Sequence, residues 1–265
     1  MSRTLQLRLA YNGERFSGWQ IQPDQRTVQG VLSDAIQSIC GETVVPMGSS
    51  RTDAGVHAAD QVASFTTSSS FTPDVWRRAL NAHLPKDVVV LRSSEVNSSF
   101  NPISDAVTKR YRYRIHDGEV RPVLARPFVW QWNSRLNVPA MREASSFLVG
   151  EHDFTSFENP SSPRTSKVRK INDLTIQRRD GGESTPDSEI WIEIEGNGFL
   201  YNMVRIIAGT LLMVGASKRP QTWVGNVLDD RNRTSAGPTA PPQGLLLLQI
   251  NLKPQTVAVR NGSSS

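Results

Sequence analysis

The stretch Gly48–Ala58, with the sequence GSSRTDAGVHA, contains the residues of this chain whose types and spacing are best suited to chemistry. It places the guanidinium of Arg51 two positions before the carboxylate of Asp53, and Gly55 then permits a tight bend. A carboxylate held beside a guanidinium on a loop is typical of a charged group presented to a ligand. The alternative is an Asx-turn in which Asp53 bonds its own backbone. Local chemistry alone favours that turn, because Asp is a common turn residue.

The elements around this stretch indicate a compact α+β half. Alternating leucines at the start of the chain predict a half-buried strand. Thr27 is a suitable N-cap for a helix with apolar residues at helical spacing, and Thr72 with Pro73 is a cap and first-turn signal for a second helix. The expected order is strand, helix, strand, helix, strand, at about residues 5–10, 28–39, 60–67, 74–82 and 88–91.

The second half begins at about residue 105 with a strand whose two faces differ. Tyr111, Tyr113 and Ile115 alternate with Arg110, Arg112 and Arg114, so an extended chain separates an aromatic face from a basic one. Such a pair of faces can hold a nucleotide, although either face also has an ordinary structural explanation. The remaining expected elements are a helix at 139–149, a loop at 150–169, strands around 174–176 and 190–194, a loop at 229–244 and a strand at 245–252. We expect the loop around Asp180–Gly182 to be mobile.

A helix predicted from about Asn202 to Ala216 has a wide apolar stripe, so it should be largely buried. Arg205 lies in its first turn, near the positive end of the helix dipole, where a cation is poorly placed. An unpaired buried charge costs several kcal/mol. The side chain could reach solvent, but a carboxylate partner, Asp53 above all, explains its position better.

The composition is typical of a soluble globular protein, and the excess of positive charge is modest for a chain of this size. The chain has 265 residues, 37% of them hydrophobic, one cysteine and a formal net charge of +5. We expect a cytoplasmic protein with neither a signal peptide nor a membrane span. Two basic clusters with an acidic stretch between Glu183 and Glu195 suggest one electropositive face, although a charge run is more often a solvated surface. The clusters are Lys109, Arg110, Arg112, Arg114, Arg121, Arg126 and Arg135, and Arg164, Lys167, Arg169, Lys170, Arg178 and Arg179.

Several motifs in order along the chain resemble the TruA family of tRNA pseudouridine synthases. The RTDAGVHA string is accompanied by a Tyr11-to-Gln20 segment, Thr27-Val28-Gln29, Leu80-Asn81-Ala82, Lys109-to-Tyr113, His152-Asp153-Phe154, and Gly198-Phe199-Leu200 followed by Met203-Val204-Arg205. The resemblance covers nearly the whole chain, up to the Gly244-Leu245 strand. Several ordered motifs at family-like spacing are far more specific than any one of them.

The resemblance implies an α+β pseudouridine synthase fold of two similar subdomains, with mostly antiparallel sheets and a basic cleft between them. We expect these subdomains at residues 1–104 and 105–254, followed by a disordered tail at 255–265. The implied activity is the isomerisation of uridine to pseudouridine in the tRNA anticodon stem-loop, at positions 38 to 40. The implied enzyme is a homodimer that uses no cofactor and no metal.

The resemblance also assigns roles to individual residues. Asp53 corresponds to the catalytic aspartate, Tyr111 to the tyrosine that packs on the base and removes the C5 proton, and Arg205 to the arginine that pairs with the aspartate. Leu200 corresponds to an apolar wall of the pocket, and Arg51 to the arginine that enters where the base is flipped out. From the basic clusters we expect further RNA contacts at Lys109, Arg110 and Arg164.

The sequence departs from the family pattern at two places and leaves two other functions open. Ser50 stands where the family usually has glycine, and it can replace glycine only if its φ is negative. Ile103 stands where relatives commonly have an arginine. A non-catalytic RNA-binding protein of the same fold is one alternative. An aspartate-dependent nucleoside hydrolase is another, but the four scattered histidines suggest no metal or water-activating cluster.

Overall fold

The computed structural model describes residues 2–162, 165–179 and 188–254. They belong to two units: Met1–Val107 with the chain from Gln249 onward, and Thr108–Leu248. From the sequence, the division was expected at 104/105 and the whole final strand in the second half. In the structure the last strand, Leu245–Leu252, has residues in both units. The loop around Asp180–Gly182 and the tail at 255–265 lie outside the described residues.

The first unit combines an antiparallel sheet with two helices. Its elements are β1 (Arg3–Tyr11), α1 (Val28–Cys40), β2 (Met47–Gly48), β3 (His57–Thr67), α2 (Pro73–His83) and β4 (Val88–Val96). Strand β1 lies between β3 and β4 and is antiparallel to both, and β2 pairs with the other edge of β3. This order brings the chain on either side of Asp53 into one sheet.

Local signals account for the elements of this unit. Leu5, Leu7 and Leu9 are fully buried on one face of β1, whereas the residues between them are half-exposed, as the alternation predicts. The Thr27 hydroxyl accepts a hydrogen bond from the Gly30 amide, which confirms it as the N-cap of α1. The cap of the second helix by Thr72 is confirmed in the same way.

The second unit is also built on an antiparallel sheet. Its strands are β5 (Ala106–His116), β6 (Trp130–Gln131), β7 (Gly150–Asp153), β8 (Val168–Arg179) and β9 (Glu189–Gly196), and β10 is Leu245–Leu252. Its helices are α3 (Val138–Ser145), α4 (Met203–Gly215) and α5 (Trp223–Asp230). Strand β9 lies between β5 and β8, and β7 continues the sheet beyond β8; these pairs are antiparallel, whereas the short β5–β6 pair is parallel. The predicted α+β class with mostly antiparallel strands is confirmed.

Helix α4 is the most buried helix of this unit, as its apolar stripe predicts. Eleven of its thirteen residues are buried, and Arg205 is one of the two that are not. Because the helix is enclosed almost all round, the one charged residue in it has a direction imposed by its neighbours.

Three predicted boundaries were wrong. The segment 150–169, predicted as a loop, contains β7 and the start of β8. The four residues of β7 have no alternating pattern, and they are extended because they pair with β8. The predicted helix at 139–149 ends as an α-helix at Ser145 and continues as a 3₁₀ turn. Helix α5 was not predicted, and its last two residues were assigned to the loop at 229–244.

Candidate active site

Asp53 lies on the loop that joins β2 to β3, and its side chain is half-buried. The preceding residue, Thr52, is buried, and its hydroxyl lies 2.8 Å from the Tyr11 hydroxyl. After Asp53 the chain turns, with the Val56 amide bonded to the Asp53 carbonyl at 3.1 Å and Gly55 at φ +78°. The predicted tight bend at Gly55 is confirmed. The loop thus buries its threonine, whereas the adjacent Asp53 is only half-buried.

A buried glutamine holds the beginning of this loop. Gln61 on β3 donates from Nε2 to the Ser50 carbonyl at 2.7 Å, and its Oε1 accepts from the Ser50 amide at 3.2 Å. Ser50 is not among the residues with a positive φ, so its backbone accepts any L-residue. The serine in place of glycine is therefore compatible with the loop. The sequence alone indicates no role for Gln61, because a single glutamine within a strand carries no distinctive signal.

The segment from Phe16 to Trp19 packs against the other side of the loop through its backbone. The Trp19 amide donates to the Thr52 carbonyl at 3.0 Å, and the Gly55 amide donates to the Phe16 carbonyl at 3.2 Å. Gly18 has φ +96°, and a Cβ there would lie 2.7 Å from the Thr52 carbonyl oxygen. Only glycine allows this close approach. The backbone of the Asp53 loop is therefore held on one side by the Gln61 side chain and on the other by main-chain hydrogen bonds.

Tyr11 connects the end of β1 to the loop. It is buried, and its hydroxyl contacts both Thr52 and the Gln61 amide, the latter at 3.3 Å. Burial raises the pKa of Tyr11 from 10.0 to about 12, although the two hydrogen bonds act in the opposite direction. The folded protein therefore holds the phenolic proton more tightly than the unfolded chain does.

Because the pKa of Tyr11 is raised, the free energy of unfolding should decrease at alkaline pH. The contribution of Tyr11 is fully present below pH 10 and is lost as the pH rises through 12, because the unfolded chain releases the proton first. The loss amounts to about 3 kcal/mol in the free energy of unfolding. Tyr11→Phe should be less stable than wild type by about 1 kcal/mol at neutral pH, yet lose less stability over this range. Urea unfolding across the range measures both effects, and equal alkaline losses in the two proteins would contradict the assignment.

In the second unit, Tyr111 and Leu200 are both buried, and Tyr111 contacts Phe199, which precedes Leu200 in the sequence. Tyr111 on β5 is 6% exposed, and its ring meets the Phe199 ring edge-on at a centroid distance of 5.2 Å. Leu200 is buried, and its carbonyl accepts from the Met203 amide at the start of α4. Phe199 belongs to the Gly198-Phe199-Leu200 motif, from which no role was predicted for it. Its ring packs against Tyr111 on the aromatic face of β5.

Arg205 is held by the backbone of a distant segment. Its Nε donates to the Ala240 carbonyl at 2.7 Å, and its own carbonyl accepts from the Ala240 amide at 3.1 Å. The positive charge of Arg205 acts on the Tyr113 hydroxyl, whose pKa is nevertheless raised because the hydroxyl is buried. The side chain does not simply extend into solvent, and its orientation is defined.

The basic face of β5 is paired with acids of the neighbouring strands. Arg110 contacts three carboxylates, those of Glu195 at 3.0 Å, Asp173 at 3.1 Å and Glu193 at 3.3 Å. Arg112 contacts Glu193 at 2.6 Å. Glu193 and Glu195 of the acidic stretch are therefore interleaved with these arginines, and the arginine row of β5 does not form an uncompensated basic surface.

The arginine row of β5, which consists of Arg110, Arg112 and Arg114, also contacts an aromatic ring. The Arg112 guanidinium lies 3.8 Å from the centre of the Trp191 ring, and the Arg114 guanidinium contacts Glu189 at 2.7 Å. The indole of Trp191 also donates to Glu189 at 2.8 Å. These contacts give the arginine face a structural explanation.

The other predicted RNA contacts lie in different surroundings. Lys109 is half-buried and lies on the tyrosine face of β5, two residues from Tyr111. Arg51 is exposed at the start of the Asp53 loop. Arg164 lies outside the described residues.

The four histidines each bond to nearby backbone. His57 accepts from the Gly13 amide at 3.0 Å, and the other three contact carbonyls of residues three or four positions away. In the described part of the chain, no three His, Cys, Asp or Glu side chains are grouped so that they could hold a metal ion. Among the same residues, no helix is long and apolar enough to cross a membrane.

Comparison with known proteins gives one family. The tRNA pseudouridine synthase profile matches residues 9–102 and 144–251. A protein from Thermoanaerobacter sp. strain X514, named tRNA pseudouridine synthase A, is 43% identical over 94% of this chain and 99% of its own length. A protein of the same name from Brevibacillus brevis is 43% identical over 91% of this chain and 96% of its own length. Another from Halalkalibacterium halodurans is 42% identical over 93% of this chain and 91% of its own length.

A likeness to solved structures is weaker. A chain in the crystal structure of a Cbf5-Nop10-Gar1 complex aligns at 12% identity with a TM-score of 0.33, over 78% of this chain and 54% of that chain. We draw no conclusion from this value. The profile match, which includes the Asp53 loop and α4, and the relatives, which align over more than nine-tenths of the chain, show that the chain belongs to the TruA family of tRNA pseudouridine synthases.

Proposed function

We propose that this protein is an isomerase that converts uridine to pseudouridine in the anticodon stem-loop of tRNA, at positions 38, 39 and 40. In this proposal it acts in the cytoplasm as a homodimer, with a basic cleft between its two subdomains and without a cofactor or metal. The observation that carries the proposal is the family match, whose matched residues include Asp53.

Asp53 is proposed to act at C1′ of the target nucleotide. The C1′–N1 bond breaks, the detached uracil turns, and a C1′–C5 bond forms; the C5 proton is then lost and N1 gains a proton. An ionised carboxylate assists the first step, either as a nucleophile or by favouring a glycal intermediate. The hydrogen bonds on both sides of the loop support this role, because they fix the backbone that carries the carboxylate.

Tyr111, Leu200 and Arg205 are proposed to complete the site. Uracil must be held while it is not bonded to the sugar, and an aromatic ring with an apolar wall can hold it without fixing its rotation. The burial of Tyr111 and Leu200 supports this role. Tyr111 is also proposed as the base that removes the C5 proton. Arg205 is proposed to pair with Asp53 and to stabilise its negative charge.

Arg51 is proposed to enter the RNA helix where the target base leaves it. Its exposure at the start of the Asp53 loop supports this role. Flipping a base costs a few kcal/mol, and the guanidinium together with phosphate contacts would offset that cost. Lys109, Arg110 and Arg164 are proposed as such contacts. The charge of Arg110 is already shared with three carboxylates, which should weaken its attraction for phosphate.

Alanine substitutions at the adjacent residues Lys109 and Arg110 distinguish a basic residue that contacts RNA from one that stabilises the fold. Lys109→Ala should weaken tRNA binding and reduce the slope of log K against log salt by about 1, because one phosphate contact is lost. Arg110→Ala should lower the free energy of unfolding by about 1–2 kcal/mol, because three carboxylates lose their common cation. Filter binding at several salt concentrations and urea unfolding measure the two quantities. A reduced salt slope in Arg110→Ala would show that this guanidinium does contact phosphate.

The test of the activity uses tRNA that carries C5-tritiated uridine in the anticodon arm. Release of tritium without free uracil supports isomerisation, because only the C5 proton leaves. Free uracil would indicate the nucleoside hydrolase instead. Tight, salt-sensitive binding without release of either would indicate the non-catalytic RNA-binding protein. Substrates with uridine at only one of the three positions then define the site of modification.

A further inference from the structure

The segment Gly237–Ala240 of the loop before β10 lies directly on α4. The Gly237 amide donates to the Thr210 hydroxyl at 3.0 Å, and that hydroxyl donates to the Ile206 carbonyl at 2.7 Å. Thr210 is fully buried. One side chain of α4 therefore fixes the beginning of the segment, and its hydroxyl has both hydrogen bonds satisfied.

Two glycines allow the segment and the helix to approach this closely. A Cβ at Gly209 would lie 1.9 Å from the Pro238 carbonyl oxygen, and a Cβ at Gly237 would lie 2.7 Å from the Thr210 Cα. Both obstacles are backbone atoms, which cannot move aside as the end of a flexible side chain can. Any larger residue at either position must displace the segment from α4.

The segment ends on Arg205. Ala240 is fully buried, and its carbonyl and amide bond to the side-chain Nε and the main-chain carbonyl of this one arginine. A guanidinium is planar, so fixing Nε by a hydrogen bond along the plane restricts the directions of both Nη groups. A carbonyl that belongs to the main chain has no rotamers of its own. It is therefore a more rigid acceptor than a carboxylate side chain.

Two further side chains hold the segment at its ends. Arg233 donates to the Gly237 carbonyl at 3.0 Å and to the Thr239 hydroxyl at 3.1 Å. Tyr113 on β5 donates to the carbonyl of the next residue, Pro241, at 2.7 Å. The segment is thus anchored before, along and after the contact with Arg205, although it forms no helix or strand.

We propose that the segment Gly237–Ala240 positions Arg205, and that Gly209 and Thr210 are positioning residues that hold this segment against α4. The inference rests on the proposed function of Arg205 as the partner of Asp53. Displacement of the segment would move the Ala240 carbonyl and release Nε, and the guanidinium would then lose its direction. Misplacement of a catalytic group by about 1 Å can cost about 10²-fold in rate.

A double-mutant cycle on the full-length protein tests this inference. Thr210→Val keeps the volume and removes the hydroxyl, whereas Thr210→Ser keeps the hydroxyl. Thr210→Val should lower the single-turnover rate of tritium release by about 10-fold with tRNA affinity unchanged, and Thr210→Ser should stay within about 2-fold of wild type. In an Arg205→Gln background, Thr210→Val should change the rate by less than about 2-fold, because its target is already absent.

Other outcomes overturn the inference. An equal loss of rate in both backgrounds would show a general structural role, and weaker tRNA binding at an unchanged rate would show a binding role. If Thr210→Val does not fold, Gly209→Ala takes its place in the same cycle, because its methyl group displaces the segment without removing a hydrogen-bonding group. If the wild type releases no tritium, the proposed function fails; if only the cycle fails, the proposed function stands without this inference.

Discussion

Asp53→Asn is expected to abolish pseudouridine formation, with a loss of at least about 10³-fold in the single-turnover rate, or about 4 kcal/mol of transition-state stabilisation. Asparagine has almost the same shape as aspartate, so the half-buried loop should keep its conformation. It has no negative charge, and it can neither attack C1′ nor stabilise a cation there. The loss should therefore appear in the rate, while tRNA affinity changes by only a few-fold.

Asp60→Asn is the matched control for this substitution. Asp60 lies on β3 and pairs with Arg8, outside the Asp53 loop. The same change of charge there should leave the rate of tritium release within a few-fold of wild type. Tritium release by Asp53→Asn at the wild-type rate would remove Asp53 from the mechanism. A large loss in both variants would point to a general effect of charge on RNA binding.

Arg205→Gln is expected to lower the rate by about 10²-fold, because the proposed partner of Asp53 is lost from a largely buried helix. Glutamine is neutral and shorter, so it replaces neither the positive charge nor the bond from Nε to Ala240. Arg205→Lys keeps the charge and loses the planar fork, so it should lie between Arg205→Gln and wild type. Single-turnover tritium release, together with tRNA affinity, measures each variant.

The lysine variant separates charge from geometry at this position. Full activity in Arg205→Lys would show that charge alone suffices and that the direction of the guanidinium has no role. Wild-type activity in Arg205→Gln would contradict the proposed pairing with Asp53. A loss of tRNA affinity equal to the loss of rate would place Arg205 in substrate binding instead.

Local patterns in the sequence determined several elements around the site. The burial of one face of β1 follows from its alternating leucines, and the start of α1 follows from the Thr27 cap. The buried helix that carries Arg205 follows from its apolar stripe. The turn at Gly55 was likewise predicted from its residue type. These features depend on residues a few positions apart, so periodicity and turn chemistry are sufficient to find them.

Contacts between residues far apart in the sequence could be decided only by the tertiary structure. Arg110 bonds to Glu195, 85 positions away, because antiparallel pairing of β5 with β9 places the two strands side by side. Arg205 bonds to Ala240, 35 positions away, because two glycines let a loop approach α4. The sequence by itself identified the family, the charged groups and the helix that carries Arg205. It could not identify their partners, because strand register and loop packing depend on the whole fold and have no local pattern.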